Sequence, residues 1–203
     1  MDTKPLTEDK LVSKTDPFCQ FDSWLKDATQ MDHHFALNAC LATGAQDGTI
    51  SNRVVTMGSF NKDGFVFFTS AEGRKAKELE SNPNCALTFY WPTLWRQVRI
   101  EGTANLLPDE RSEEYFRKLP FENQIVLNNA RQSEAKCRDE MERAMSADSA
   151  KPVPKPSFLK GYQITPTWIE FNQAQENFLS DRLVFTRPAS AGDKWELQHL
   201  AAY

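Results

Sequence analysis

The chain has 203 residues, with 24 Lys and Arg against 28 Asp and Glu, a formal charge of −4. One domain is expected at that length, given ~150 residues as a nominal domain, and a chain this long buries a core without disulfide or metal staples. The acidic balance argues against general nucleic-acid binding, 40% hydrophobic and 26% charged residues are globular rather than disordered values, and no apolar run reaches the length of a membrane span.

Residues 1–15 are polar and are expected to be a loose N-terminal segment, with residues 16–203 forming the single domain. No signal-peptide-like apolar stretch opens the chain, so a cytoplasmic protein is expected. Asp16-Pro17 reads as a helix N-cap with Pro at the first helical position. Phe18, Phe21, Trp24, Leu25 and Ala28 then follow at helical spacing to about Met31. From Phe35 the pattern changes to short apolar and β-branched runs at residues 36–43, 53–57 and 65–69. Turns at residues 46–49 and 61–64 separate them, a strand meander rather than a βαβ unit. Residues 73–81 are helical and stop before Asn82-Pro83, because proline disfavours helix in the residue ahead of it. Strands follow at 86–91 and 97–106. Residues 108–145 are charged and mostly helical, with a break near Leu119-Pro120, and residues 151–156 form a stiff Pro-rich connector. Three strands close the chain at 162–171, 183–186 and 195–200. The fold class expected is mainly β with peripheral helices, an antiparallel barrel or sandwich.

Cys19, Cys40, Cys85 and Cys137 form no Cys-x-x-Cys pair and only three His are present, so no metal site is expected. Walker A, Gly-x-Ser-x-Gly and His-Glu-x-x-His motifs are absent, as is the Rossmann glycine fingerprint. Gly73-Arg74-Lys75 stands where a helix begins. Cations are unfavourable at that end, where free N–H groups already carry positive charge, unless an anion such as phosphate joins them. The alternative is a solvated basic turn offset by Glu72, Glu78 and Glu80. Arg53 opens an otherwise apolar strand and needs an anionic or carbonyl partner, which a rim salt bridge would also supply. Gln97 and Arg99 share one strand face, and the Gln97 amide suits the edge of a heterocycle as well as a structural role. Ser133, after Gln132, reads as a helix N-cap. Asp181-Arg182 reads as a surface pair. Together these groups suit a phosphorylated, ring-bearing ligand.

In their order along the chain, Asp16-Pro17, Arg53-Val54-Val55, Phe67-Phe68-Thr69, Arg74-Lys75, Arg96-Gln97-Val98, Tyr115-Phe116, Gln132-Ser133, Ile169-Glu170-Phe171 and Asp181-Arg182 resemble the pyridoxamine/pyridoxine 5′-phosphate oxidase family. The resemblance runs from about Asp16 to the C-terminus. It implies an FMN-binding split β-barrel and a homodimer with FMN at the subunit interface. It also implies oxidation of the CH2 carbon of a B6 phosphate to the aldehyde, with hydride passing to FMN and on to O2. The implied FMN contacts are Arg53, Val54, Val55, Thr56, Met57, Phe68, Thr69, Arg74, Lys75, Gln97, Gln132, Ser133 and Arg182; the implied substrate contacts are Tyr115 and Asn123.

The chain departs from the family where the substrate phosphate should sit. Gly58 stands in place of Lys, Leu119 in place of Arg and Asn123 in place of Ser. Phe178-Leu179-Ser180 replaces Arg-Leu-His, Asn172 replaces a flavin-contacting Trp, and Leu159-Lys160-Gly161 replaces Trp-Gly-Gly. The lost cations imply an oxidase with weakened activity on B6 phosphates. The alternatives are an FMN-binding paralogue acting on another small molecule, and a non-catalytic flavin-binding dimer.

Overall fold

The computed structural model describes residues 6–129, 152–175, 179–187 and 194–200. Gln132, Ser133, Phe178 and the helical stretch expected beyond residue 129 therefore lie outside the described residues. Leu6 is buried, and its N–H donates to Asp181 Oδ2 at 2.9 Å. The Val12 N–H donates to Gln20 Oε1 at 3.0 Å. The described part of the N-terminal segment is thus pinned to the domain, with Leu11 packed on the core.

Helix α1 (Pro17–Met31) starts as its sequence dictates: Asp16 is the N-cap, its carboxylate accepts from the Phe18 N–H, and Pro17 occupies the first helical position. Its apolar stripe of Phe18, Phe21, Trp24 and Ala28 is buried. Eight strands follow: β1 (Asn38–Gly44), β2 (Ile50–Asn61), β3 (Gly64–Ser70), β4 (Asn84–Trp91), β5 (Arg96–Leu106), β6 (Leu159–Ala174), β7 (Ser180–Thr186) and β8 (Glu196–Leu200). Helix α2 (Arg74–Ser81) links β3 to β4, while α3 (Asp109–Lys118) and α4 (Phe121–Asn129) lie between β5 and β6. The break between α3 and α4 falls at Leu119-Pro120, with Leu119 extended at φ −71° and ψ 147°.

The strands pair in the order β3-β2-β1-β4-β5-β6-β7-β8, all antiparallel, and a further β3–β6 pairing closes the first six into a barrel. Strand β6 makes this possible by its length of 16 residues. Its first half pairs with β3, from Ser70↔Leu159 to Phe65↔Ile164, and its second half pairs with β7, from Trp168↔Thr186 to Ala174↔Ser180. The barrel therefore splits along β6, with β7 and β8 as an outer wing. The hairpin between β2 and β3 turns at Gly64, whose φ of +140° is closed to other residues, and whose Cβ would collide with the Ile164 carbonyl.

Period-two alternation fills the barrel with Leu41, Phe65, Phe67, Leu87, Phe89, Val98, Ile100, Ile164, Ile169 and Phe171, all fully buried. Helix α1 packs onto this core: the Phe21 ring meets Phe60, Phe65 and Phe89 edge-on at 4.8, 4.9 and 4.9 Å between centroids. Such edge contacts add to simple area burial.

Candidate active site

The expected site residues fall into three groups. The first surrounds the start of α2, where Gly73 is the N-cap and no side chain caps the free N–H groups. Arg53 comes to it from β2, Thr43 from β1 and Ser51 from the start of β2. At the centre is Glu78, whose side chain is 6% exposed. Its Oε1 accepts from Arg74 Nε at 2.7 Å, and its Oε2 accepts from Arg53 at 3.2 Å, from the Ser51 hydroxyl at 2.7 Å and from the Thr43 hydroxyl. Hydrogen bonds from Ser51 and Thr43, then from the two arginines, hold this carboxyl down to about 2, against the opposing effect of burial.

Arg53 also donates to Ser51, to Thr43 and, at 3.4 Å, to the Leu41 carbonyl. Both of its terminal amino groups are therefore engaged within the protein. It is thus an anchored cation, not an exposed rim pair. Arg74 differs: its side chain is 62% exposed, and among the described residues only its Nε makes a hydrogen bond, with Asp47 near enough to feel its charge. Lys75 is half-buried, donates to Thr69 Oγ1 at 3.0 Å and has no carboxylate partner among the described residues. Burial, and then the neighbouring Arg53, push its pKa down. A partly desolvated ammonium without a counter-charge beside an open guanidinium and an uncapped helix start is an anion-binding arrangement. Three cations bonded around one carboxylate, with Asp47 near enough to feel the charge of Arg74, leave the cradle net positive, as binding of a doubly charged phosphate monoester requires. The residues present thus fit the phosphate end of FMN.

The second group lies on the outer face of the barrel. Register places Gln97 opposite Asn172 and Asn172 opposite Arg182, so these side chains share one face in a row across β5, β6 and β7. Arg182 does not pair with its neighbour Asp181. It donates from Nε and a terminal nitrogen, both at 3.0 Å, to the two oxygens of Glu170, a carboxylate with no solvent exposure. Arg99 reaches the same carboxylate at 3.4 Å. Asp181 instead accepts from Leu6 and Gln175. Arg96 is structural, bound to Asp27 at 2.6 Å and Gln173 at 3.0 Å and lying over the Trp24 ring.

Alternation on β2 divides the expected run 53–57 between the two sides. Arg53 and Val55 sit opposite the interior residues Leu41 and Ala39 and Met57 is buried, whereas Val54 is 66% exposed and Thr56 bonds Asn38 at 2.8 Å on the outer face. The third group is aromatic. The Phe68 ring lies between Gly58 on β2 and Gly161 on β6, where a Cβ on either glycine would come within 2.8 Å of it. Tyr115 of α3 stacks on Phe68 with centroids 3.8 Å apart and planes 7° from parallel, and burial raises its phenol pKa. Asn123 is exposed on α4 and Leu119 is half-buried.

Glu78, Thr43, Ser51 and Glu170 are absent from the sequence-derived site. Glu78 was legible only as an acid four residues after Arg74, the spacing of a helical ion pair. Glu170 was legible as a charge between two apolar strand residues, a position where a carboxylate needs a partner. Among the described residues no group of three or more His, Cys, Asp or Glu could hold a metal ion, and no helix among them is long and apolar enough to cross a membrane.

Comparison with known proteins agrees with this architecture. The chain matches the pyridoxamine 5′-phosphate oxidase family over residues 36–157 and the pyridoxine 5′-phosphate oxidase C-terminal dimerisation region over residues 160–202. It is 41% identical to the pyridoxine/pyridoxamine 5′-phosphate oxidase of Rubrobacter xylanophilus, with 90% of this chain and 87% of that protein covered. It is 42% identical to the pyridoxine-5′-phosphate oxidase of Bos taurus, with 92% and 74% covered. The crystal structure of PhzG from Burkholderia lata in complex with tetrahydrophenazine-1-carboxylic acid superposes with a TM-score of 0.86 at 24% identity, covering 99% of this chain and all of that one, a likeness of fold. On the matched length and identity, the chain belongs to the pyridoxamine 5′-phosphate oxidase family of flavin-dependent oxidoreductases.

Proposed function

We propose that the protein is an FMN-dependent oxidase of pyridoxamine or pyridoxine 5′-phosphate, forming pyridoxal 5′-phosphate, with FMN held between two copies of the chain. The observation that carries the cofactor assignment is Lys75, half-buried and without a carboxylate partner among the described residues, beside the exposed guanidinium of Arg74. FMN, when bound, supplies the redox chemistry, accepting a hydride from the substrate CH2 carbon and passing the electrons to O2. Lys75, Arg74 and the start of α2 bind its phosphate. The row of Gln97 and Asn172 offers amide groups to the ring beside Arg182, whose positive charge, set with that of Arg99 around Glu170, stabilises the electron density gained on reduction.

The strand register supports an intersubunit site. Thr43, at the cradle, is level with Cys85 and Gly102, whereas Gln97 is level with Tyr90, five residues further along β4. At ~3.3 Å per residue that is roughly 16 Å, and Gln97 faces outward while Arg53 sits among inward-facing neighbours. That separation favours a site completed by a second copy. Exposed Ile50, Val54 and Tyr90, with 64–76% of their surface open, make the outer face apolar enough to meet a second copy.

A second substrate reading has its own observation. Gly58 and Leu119 carry no charge, and the Phe68–Tyr115 stack occupies the space a side chain at Gly58 would enter. The side of the pocket expected to hold the substrate phosphate is therefore apolar and aromatic, which favours a less anionic substrate or slow turnover of B6 phosphates. Titration of the apoprotein with FMN, followed by measurement of aldehyde and peroxide from pyridoxamine 5′-phosphate and from unphosphorylated pyridoxamine, tests both. Turnover that needs the phosphate supports the B6-phosphate oxidase, and equal slow turnover of the two supports the second reading. Failure to bind FMN removes both. Arg74→Ala is expected to weaken FMN binding whichever substrate is used.

A further inference from the structure

We propose that Glu78 is the positioning residue of the phosphate cradle, holding Arg53 and Arg74 through separate oxygens so that Arg74 presents both terminal amino groups beside Lys75. The inference rests on the FMN reading above and adds to it a residue that does not itself touch the ligand.

Three observations carry it. First, the contacts are divided. Glu78 Oε1 takes only the Nε of Arg74, at 2.7 Å, while Oε2 collects Arg53, Ser51 and Thr43. Arg74 is therefore held through Nε, and its two terminal nitrogens, which can make an end-on bidentate grip on phosphate, face away from that contact.

Second, the engaged groups form an anchored base. Arg53 has both amino groups satisfied by Leu41, Thr43, Ser51 and Glu78, so it holds the carboxylate in place. Thr43 and Ser51 each accept from Arg53 and donate to Glu78, which closes a ring of bonds joining β1, β2 and α2.

Third, stability alone does not explain the Arg74 contact. That side chain is 62% exposed, and ordering an exposed arginine contributes little to folding. What the contact does is restrict the arginine before a ligand arrives, which removes an ordering cost from binding. Glu78 also offsets one of the cations bonded to it and leaves the cradle net positive.

The experiment is a pair of titrations of the apoprotein, with FMN and with riboflavin, followed by quenching of flavin fluorescence. A wild-type chain that binds the two equally refutes the phosphate cradle itself, and Glu78's role falls with it. Where wild type prefers FMN, Glu78→Ala is expected to weaken FMN binding about tenfold, as expected for loss of a charge-assisted contact, and riboflavin binding by less than about twofold. Glu78→Gln keeps an acceptor oxygen for Arg74 and is expected to stay within about threefold of wild type for FMN. An unchanged FMN-to-riboflavin ratio in Glu78→Ala, or equal weakening for both flavins, overturns the positioning role. Where Glu78→Ala does not fold, Glu78→Asp and Glu78→Gln decide. Positioning predicts that Asp, with charge kept but reach shortened, loses the FMN preference while Gln retains it. The reverse order means that Glu78 acts through charge alone and overturns the proposal.

Discussion

Gly58 and Gly161 are the two surfaces between which the Phe68 ring lies, and Tyr115 covers the ring from α3. Restoring a cation at Gly58 is therefore not a simple repair of the substrate site. Gly58→Lys drives a Cβ to within 2.8 Å of the Phe68 ring edge, and overpacking of that kind costs about 1–3 kcal/mol. We expect a lower denaturation midpoint in urea for Gly58→Lys, with much of the loss recovered when Phe68→Leu is added, because the smaller side chain vacates the contested space. An unperturbed midpoint in the single variant would mean that the stack yields freely. The Glu78 carboxyl gives a second prediction at this scale. Its pKa is about 2 in the folded chain, against an ordinary 4.5, so the stabilisation it contributes is complete above pH 4.5 and is lost as pH falls from there towards 2. Melting curves of wild type and Glu78→Gln are expected to differ most at pH 6–7 and to converge progressively below about pH 4.5; a gap that stays constant to pH 3 would place its stabilisation elsewhere.

Helix α1 is the element whose sequence was most fully readable. Asp16-Pro17 and the spacing of Phe18, Phe21, Trp24 and Ala28 specify its cap, its start and its buried face, and the structure has all three. Because Phe21 meets four aromatic rings and has no solvent exposure, Phe21→Ala should cost roughly 3–5 kcal/mol, measured as a shift of the urea midpoint at unchanged slope. The strands were readable as elements, but their lengths and partners were not. The run at 53–57 is the middle of a 12-residue strand, because the flanking polar residues of β2 complete its ladders without any apolar signal of their own. Nor did alternation within one strand reveal that Leu159–Ala174 serves two neighbours in succession, since that depends on a register between residues nearly 100 apart. The site divides in the same way. Arg74-Lys75 was legible because two cations at a helix start oppose the backbone's own positive end. The ring joining Thr43, Ser51, Arg53 and Glu78 was not, since three separate elements meet there only after the barrel closes. Asp181-Arg182 shows the limit from the other side: adjacency suggested a pair, yet strand alternation sends the arginine to Glu170 and the aspartate to Leu6 and Gln175.

For the whole molecule, the proposed division of the cofactor residues between the α2 cradle and the outer-face row predicts that FMN binding needs a dimer. Each site would draw its cradle from one copy and its ring-facing row from the other, as expected of a two-fold interface in which each surface appears twice. This can be tested by mixing protomers. Arg74→Ala disables the cradle, and Gln97→Trp fills the space in front of the row without removing either partner of the buried Arg182–Glu170 pair. Each variant alone is expected to bind FMN weakly. When the two are unfolded together and refolded, about half of the dimers are mixed, and each mixed dimer carries one site with both defects and one with neither, so roughly a quarter of all sites recover wild-type affinity. Recovery of that size, read from the amplitude of tight FMN binding, requires that the two groups come from different copies. If both belonged to the same copy, every protomer in the mixture would carry one defect, no intact site would form, and the tight-binding amplitude would remain zero at every mixing ratio.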